Sequence, residues 1–365
     1  MRTCLYCPNV ADTEEHPLPA AFGEFENAPL LDDRICGRCN NTTLSRLDEQ
    51  LTRSGPEAFM RRFFGIDGRK HHEKINPFYR GSSGGGRLRA KAFDAEVGFE
   101  VELEFDGKQV RQSRQIVFIE QSGKIHHLPI PEKLRDPEKL LALYRGLGVT
   151  PPVQARIFYD PSESDWVLPL VQAAWPASSF NEMGPGGSSF SGAVTEFHVN
   201  HRYFRAYAKI GFHYFLTQFP QYDGSEACFA DIRDFIGNDT AGNDQVNKFV
   251  ARREVPLLAQ MLHGARPDEW VGHLLCAEIR HGECLAHVQF FLSKFYPAPI
   301  YTVRLGRDAA ATNTDAHLGH GYSYFEDGPQ GKFSGEADPL TTTRVPMGPI
   351  ELKPAIGQPD KLSSQ

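Results

Sequence analysis

The sequence lacks any run of about 18 apolar residues, the length a membrane-crossing helix needs, so no spanning segment is expected. No apolar stretch follows the first residues either. MRTCLYCPNV carries cysteine from position 4, no secretory signal is expected there, and a cytoplasmic location is the default expectation. A disulfide framework is missing as well. Of the seven cysteines, four form two Cys-x-x-Cys pairs and three (Cys228, Cys276, Cys284) are scattered downstream, which reads as metal binding in a reducing compartment. An excess of positive charge is also absent. With 39 basic and 46 acidic side chains the net charge is −7, which argues against nonspecific polyanion binding over the whole surface.

What the chain does have is the composition of a folded protein. At 365 residues, 40% hydrophobic and 11% aromatic, it can build two or three cores. Its charge is unevenly spread. Between Met60 and Lys91 nine basic residues (Arg61, Arg62, Arg69, Lys70, Lys74, Arg80, Arg87, Arg89, Lys91) face two acids, Asp67 and Glu73. Interleaved aromatics Phe63, Phe64, Phe78 and Tyr79 could stack on bases or simply pack. The stretch is either a phosphate clamp or a solvated linker.

Periodicity organises the rest. Leu44, Leu47 and Leu51 fall at helical spacing behind the second cysteine pair, with Asn40 or Asn41 as cap. EAFMRRFFGI predicts a second helix. Beyond the SSGGG break at 82–86, RAKAF, VGFEVELEF, QIVFIE and KIHHL read as strands, as do VQARIFY and WVLPLV. HRYFRAYAKIGFHYFLTQF predicts a long amphipathic helix from Asn200 to Pro220, with Arg205 and Lys209 either a basic stripe or the flank of a core face. HLLCAEI and CLAHVQFFL predict a hairpin, with IYTVRL a further strand. After about Arg307 the Gly, Pro, Thr and Asp content predicts an irregular tail.

The strongest motif is at the front. Cys4-x-x-Cys7 and Cys36-x-x-Cys39 present four thiolates to one ion, and zinc takes that closed shell in structural sites. Between them runs Glu14-Glu15-His16-Pro17-Leu18-Pro19. On a regular strand Glu15 and His16 would face opposite ways. At a bend before Pro17 they could serve two sides of one phosphate, the carboxylate holding a divalent metal and the imidazole taking a proton from water. The bland reading of the same residues is a charged turn. A second zinc site from His273, Cys276, His281, Cys284 and His287 is disfavoured, because the cysteines of such a hairpin read as core. His71-His72, His126-His127 and His317/His320 read as loop histidines.

Together, C-x-x-C, E-H-x-x-P, C-x-x-C-N-N and Leu47-Asp48 resemble the HNH endonuclease family, the ββα-metal or treble-clef nucleases, over about the first 65 residues. The resemblance implies His16 as general base, with Glu15 and Asn40 as ligands of a catalytic Mg²⁺ or Mn²⁺. Cys4, Cys7, Cys36 and Cys39 would be the structural Zn²⁺ site, with nucleic acid, DNA foremost, as the substrate. Weak contacts are expected from Arg61, Arg62, Arg69, Lys70 and Lys74. Water attack would leave a 5′-phosphate. The family's middle Asn has no counterpart before Cys36, so the residue orienting His16 is unassigned among Asn27, Asp32 and Asp33. Such enzymes often cut twice as homodimers, although no interface signature is present.

The expected fold is therefore α+β: a zinc-framed ββα-metal module (1–65), a basic linker (66–90), a mixed domain of antiparallel sheet and helices for target recognition or regulation (91–306), and an irregular tail (307–365). Two other functions fit the same residues. One is a non-catalytic zinc-dependent nucleic-acid-binding protein, and the other is a ligand-gated sensor with the front module as its output arm.

Overall fold

The computed structural model describes residues 2–66, 76–83, 86–106, 109–150, 153–176, 181–183, 190–240, 242–253, 272–292, 298–313, 315–324, 334–339 and 352–354. The chain is mixed α+β, with several antiparallel sheets and helices. Among the described residues no helix is long and apolar enough to cross a membrane.

At the front, Thr13–Glu15 pairs antiparallel with Leu31–Ile35. The chain then turns into helix at Gly37, passes through a π-helical turn at Asn40–Leu44, and continues as helix Ser45–Ser54. The cap is Cys36, whose sulfur accepts the Cys39 amide, rather than Asn40 or Asn41. Leu44, Leu47 and Leu51 form the buried stripe that their spacing predicts. Pro56 opens the next helix, Pro56–Phe63, where its missing N–H costs nothing. Gly55 before it is required by contact, because a Cβ there would lie 2.6 Å from the Tyr203 ring.

The centre is an eight-stranded sheet. Its order is Leu352–Pro354, Val250–Arg253, Ile300–Arg307, Glu283–Leu292, Gly272–Arg280, Asp315–Tyr324, Ser334–Pro339, Glu24–Glu26, and all pairs are antiparallel except the last. The predicted hairpin is its middle, closed by His281 and Gly282, both at positive φ as a two-residue turn demands. Asp315–Tyr324 is an interior strand where an irregular tail was expected. Gly319 and Gly321, opposite Cys276 and Leu274, remove the side-chain alternation by which a strand is recognised.

One face of this sheet carries the long helix His201–Gln218, capped by Asn200, whose side chain accepts the amides of Arg202 and Tyr203. The helix is not amphipathic: every residue from Tyr203 to Leu216 is buried, Arg205 and Lys209 included. The cysteine module lies against it. Leu18, Ile35, Leu44, Leu47 and Leu51 share one apolar core with Phe204, Tyr207, Ile210, Val288 and Val303. The core thus runs through the boundary expected at residue 65, and Glu24–Glu26 even adds a strand to the central sheet.

The middle of the chain builds two further cores. Arg89–Asp94, Phe99–Asp106, Gln109–Gln112 and Phe190–Glu196 form one four-stranded sheet, while Gln115–Glu120, Ile125–Pro129, Val153–Phe158 and Asn181–Met183 form another. The second sheet packs on helices Pro137–Gly146 and Ser164–Ala174. WVLPLV belongs to the latter helix and is not a strand. Val167, Leu170, Val171 and Ala174 are buried at i, i+3, i+4 and i+7, a helical stripe that outweighs Pro169 inside it.

Glu57 ties the front helices to the long helix. Its Oε1 accepts hydrogen bonds from Tyr203 (2.8 Å) and Tyr207 (2.6 Å), and it is 4% exposed. Burial raises the carboxyl to about 7, although both tyrosine hydroxyls pull it down. Because the folded value lies above the unfolded one, the stabilising contribution is complete below the ordinary 4.5 and is lost as pH rises through about 7. Glu57→Gln, neutral throughout, should gain about 2 kcal/mol on the wild type between about pH 5 and about pH 8 in urea unfolding. Parallel pH profiles would contradict the assignment.

Candidate functional site

The four cysteine sulfurs converge, all lying within 4.8 Å of one another, and none is in a disulfide. The local backbone makes the cluster. Cys4 begins a tight turn whose amide donates to Asn9 O. The second knuckle opens the helix, and the amides of Cys36 and Cys39 donate to the sulfurs of Cys4 (3.3 Å) and Cys36 (3.5 Å). Amide donors aimed at sulfur favour thiolate. Burial raises the Cys36 thiol, but the Cys39 amide and neighbouring thiols bring it down to about 7. Sulfur type, number and spacing all fit a four-thiolate zinc, which leaves no open position for chemistry on the ion.

Glu15 and His16 leave this frame in opposite directions, as adjacent residues on extended backbone must. His16 is exposed, on the rim of a cavity of about 300 Å³ lined also by Leu18, Glu24, Phe25 and Tyr322. Glu15 points inward and is 5% exposed. Its Oε1 lies 2.6 Å from Lys209 Nζ, an ion pair rather than an aligned hydrogen bond, and 3.6 Å from His213 Nδ1. The same ammonium is gripped by both oxygens of Asp48, at 2.9 and 2.7 Å. Tyr6, between Cys4 and Cys7, completes the chain with its hydroxyl 2.8 Å from His213 Nε2.

The electrostatics follow from one cation between two carboxylates. Burial works against the Lys209 charge, but Asp48 and Glu15 raise the ammonium well above its ordinary value. Burial pushes Glu15 up, yet Lys209 and then His213 hold it at about 2. At Asp48 burial wins over Lys209, helped by Glu15, and lifts the carboxyl to about 6. Burial keeps His213 below its ordinary value despite Glu15.

This corrects the expected catalytic ion site. Mg²⁺ keeps several waters and binds through accessible carboxylates. The Glu15 carboxylate is buried and already neutralised by an ammonium, so Glu15 and Asn40 do not fit a catalytic Mg²⁺ or Mn²⁺. Asn40 is half-buried in the helix, its amide donating to Cys36 O. Asp32 and Asp33, two candidate orienters of His16, are exposed, and Asn27 sits in a left-handed turn. Arg61 donates to Thr52 O, joining the two front helices, and Arg62 to Phe105 O, tying them to the neighbouring sheet. Arg69, Lys70 and Lys74 lie outside the described residues.

Sequence reasoning missed His213 and Tyr6 and treated Lys209 as a stripe or flank. The available signal was a lysine and a histidine at i, i+4 in a helix apolar all round, where a charge must find a partner. Arg205 obeys the same rule, donating to the carbonyls of Phe235 and Ile236 and to Asp239. Comparison with protein-family models, with curated proteins and with solved structures gives no match for this chain.

Cys39→Ser should lower bound zinc from one equivalent per chain to near zero by elemental analysis. It should also destabilise the chain by upward of about 3 kcal/mol, because the knuckles border the shared core. Unchanged zinc content would rule out the four-thiolate site.

Proposed function

We propose that the chain binds nucleic acid through its zinc-framed front module and does not cut it. The carrying observation is the outward face of the helix behind the second knuckle. Arg38, Asn41, Thr42, Ser45 and Arg46 are exposed along one side at i, i+3, i+4, i+7 and i+8. That face has two guanidiniums and no acid of its own helix, although Arg46 lies 3.7 Å from the exposed carboxylate of Asp239. The acids of the same helix are engaged elsewhere, Asp48 by Lys209 and Glu49 by Arg53. Such a surface suits phosphate oxygens, which guanidiniums recognise with paired hydrogen bonds while short polar side chains add register.

The resemblance to the HNH family supports the same ligand class, and a short antiparallel strand pair followed by a helix beside the cysteine cluster is in keeping with it. Binding is favoured over hydrolysis because the carboxylate that would hold a metal is bound to an ammonium. Metal-dependent cleavage is the second reading, and one observation favours it: His16 is exposed on a cavity rim, where a base could meet solvent and substrate.

Gel shift of duplex and single-stranded DNA and RNA, beside a supercoiled-plasmid assay with Mg²⁺, Mn²⁺ or EDTA, separates the readings. Wild type should bind with salt-sensitive affinity and leave the plasmid intact. Arg38→Ala/Arg46→Ala should weaken binding by about tenfold and flatten the salt slope by about 2. Nicking that needs added metal and disappears in His16→Ala would establish cleavage instead, and salt-independent or absent binding would end both readings.

A further inference from the structure

Glu15, Asp48 and His213 come from three elements: the strand before Pro17, the zinc-module helix and the long helix. Two carboxylates and an imidazole, the donor types of a divalent metal site, are drawn up around Glu15 and Lys209, though not within the mutual ligand distance that the four cysteine sulfurs reach. His213 is fully buried, and its Nδ1 has no hydrogen-bond partner while it faces Glu15 Oε1 at 3.6 Å. Tyr6 holds the opposite ring nitrogen, the second contact that commonly fixes a ligating histidine. What fills the space is a side chain, since Lys209 Nζ meets one oxygen of Glu15 and both of Asp48.

We infer that the Lys209 ammonium is a built-in cation in a latent metal site, standing where Glu15, Asp48 and His213 would otherwise hold a divalent ion. This inference does not depend on whether the front module binds nucleic acid. Two of the ammonium's N–H groups donate to the oxygens of Asp48 and its charge meets Glu15 at 2.6 Å, so one positive charge offsets part of the two negative ones without any ion from solution. An ammonium also cannot be removed by chelation or exchanged. Oxygens now 2.6–2.9 Å from nitrogen would close to about 2.1 Å on Mg²⁺, and the His213 ring, 3.6 Å from Glu15 Oε1, would have to move in with them. Loss of the lysine would therefore leave a set of ligands and a space, not merely a cavity.

The test is a Mn²⁺ titration of the zinc-loaded full chain, followed by the loss of the free-ion electron paramagnetic resonance signal and by the unfolding temperature. Wild type should take up no stoichiometric Mn²⁺ and should melt at the same temperature with and without it. Lys209→Ala should bind one Mn²⁺ and be stabilised by it, and adding Glu15→Gln to that variant should reduce the affinity by at least tenfold. If Lys209→Ala folds only when Mn²⁺ is present, the inference is supported equally. Should it fold under neither condition, Lys209→Gln, which keeps the stem and loses the charge, takes its place. Folded lysine variants without a Mn²⁺ site would overturn the inference. So would a wild-type site of one equivalent that Glu15→Gln abolishes.

Discussion

One ammonium group, buried with none of its side chain exposed, holds the two ends of this architecture together. Lys209 lies in the middle of a helix that is buried from Tyr203 to Leu216 and mostly aromatic and aliphatic there, and a charge in it is tolerated only if it is paired. Its partners come from the far end of the chain, Glu15 after the first cysteine pair and Asp48 behind the second. Removing one member of such a pair leaves an uncompensated buried charge, at a cost of about 3–5 kcal/mol. The pair therefore fixes how the zinc module sits, whatever its net contribution against an apolar replacement.

That docking changes the standing of the cysteine cluster. Four thiolates would staple two loops in any small module, but here the stapled residues continue into the main core. Leu44, Leu47 and Leu51 meet the long helix, and Phe22 packs on His273 and Phe290 of the central sheet. A front module joined by an ion network, a common core and a strand of the main sheet is a poor separate output arm. It is better described as one wall of the larger body, with the helix face of Arg38 and Arg46 turned outward.

The local part of this was legible in the sequence. Paired cysteine spacing carried the cluster, leucine spacing carried the helix behind it, and Asn200 with Pro220 bracketed the long helix. The two-residue turn at His281 and Gly282 carried the hairpin. What could not be read were the pairings between distant residues: Asp48 and Lys209 are 161 positions apart, and nothing local to either names the other. The motif reading gave Glu15 a metal as its partner because a carboxylate beside a histidine suits one, and the fold supplied a lysine. Two local readings also failed for physical reasons. Pro169 and a run of β-prone residues disguised a helix whose buried stripe decides its state, and the glycines of Asp315–Tyr324 hid a strand that its neighbours on both sides define.

The central claim is that Lys209 and Glu15 interact strongly inside the protein, and a double-mutant cycle measures that directly. Unfolding free energies of wild type, Lys209→Met, Glu15→Gln and the double variant should give a coupling of at least about 2 kcal/mol, with the double variant more stable than Lys209→Met. A coupling within about 0.5 kcal/mol of zero would contradict the account, since two buried and paired charges cannot be removed independently.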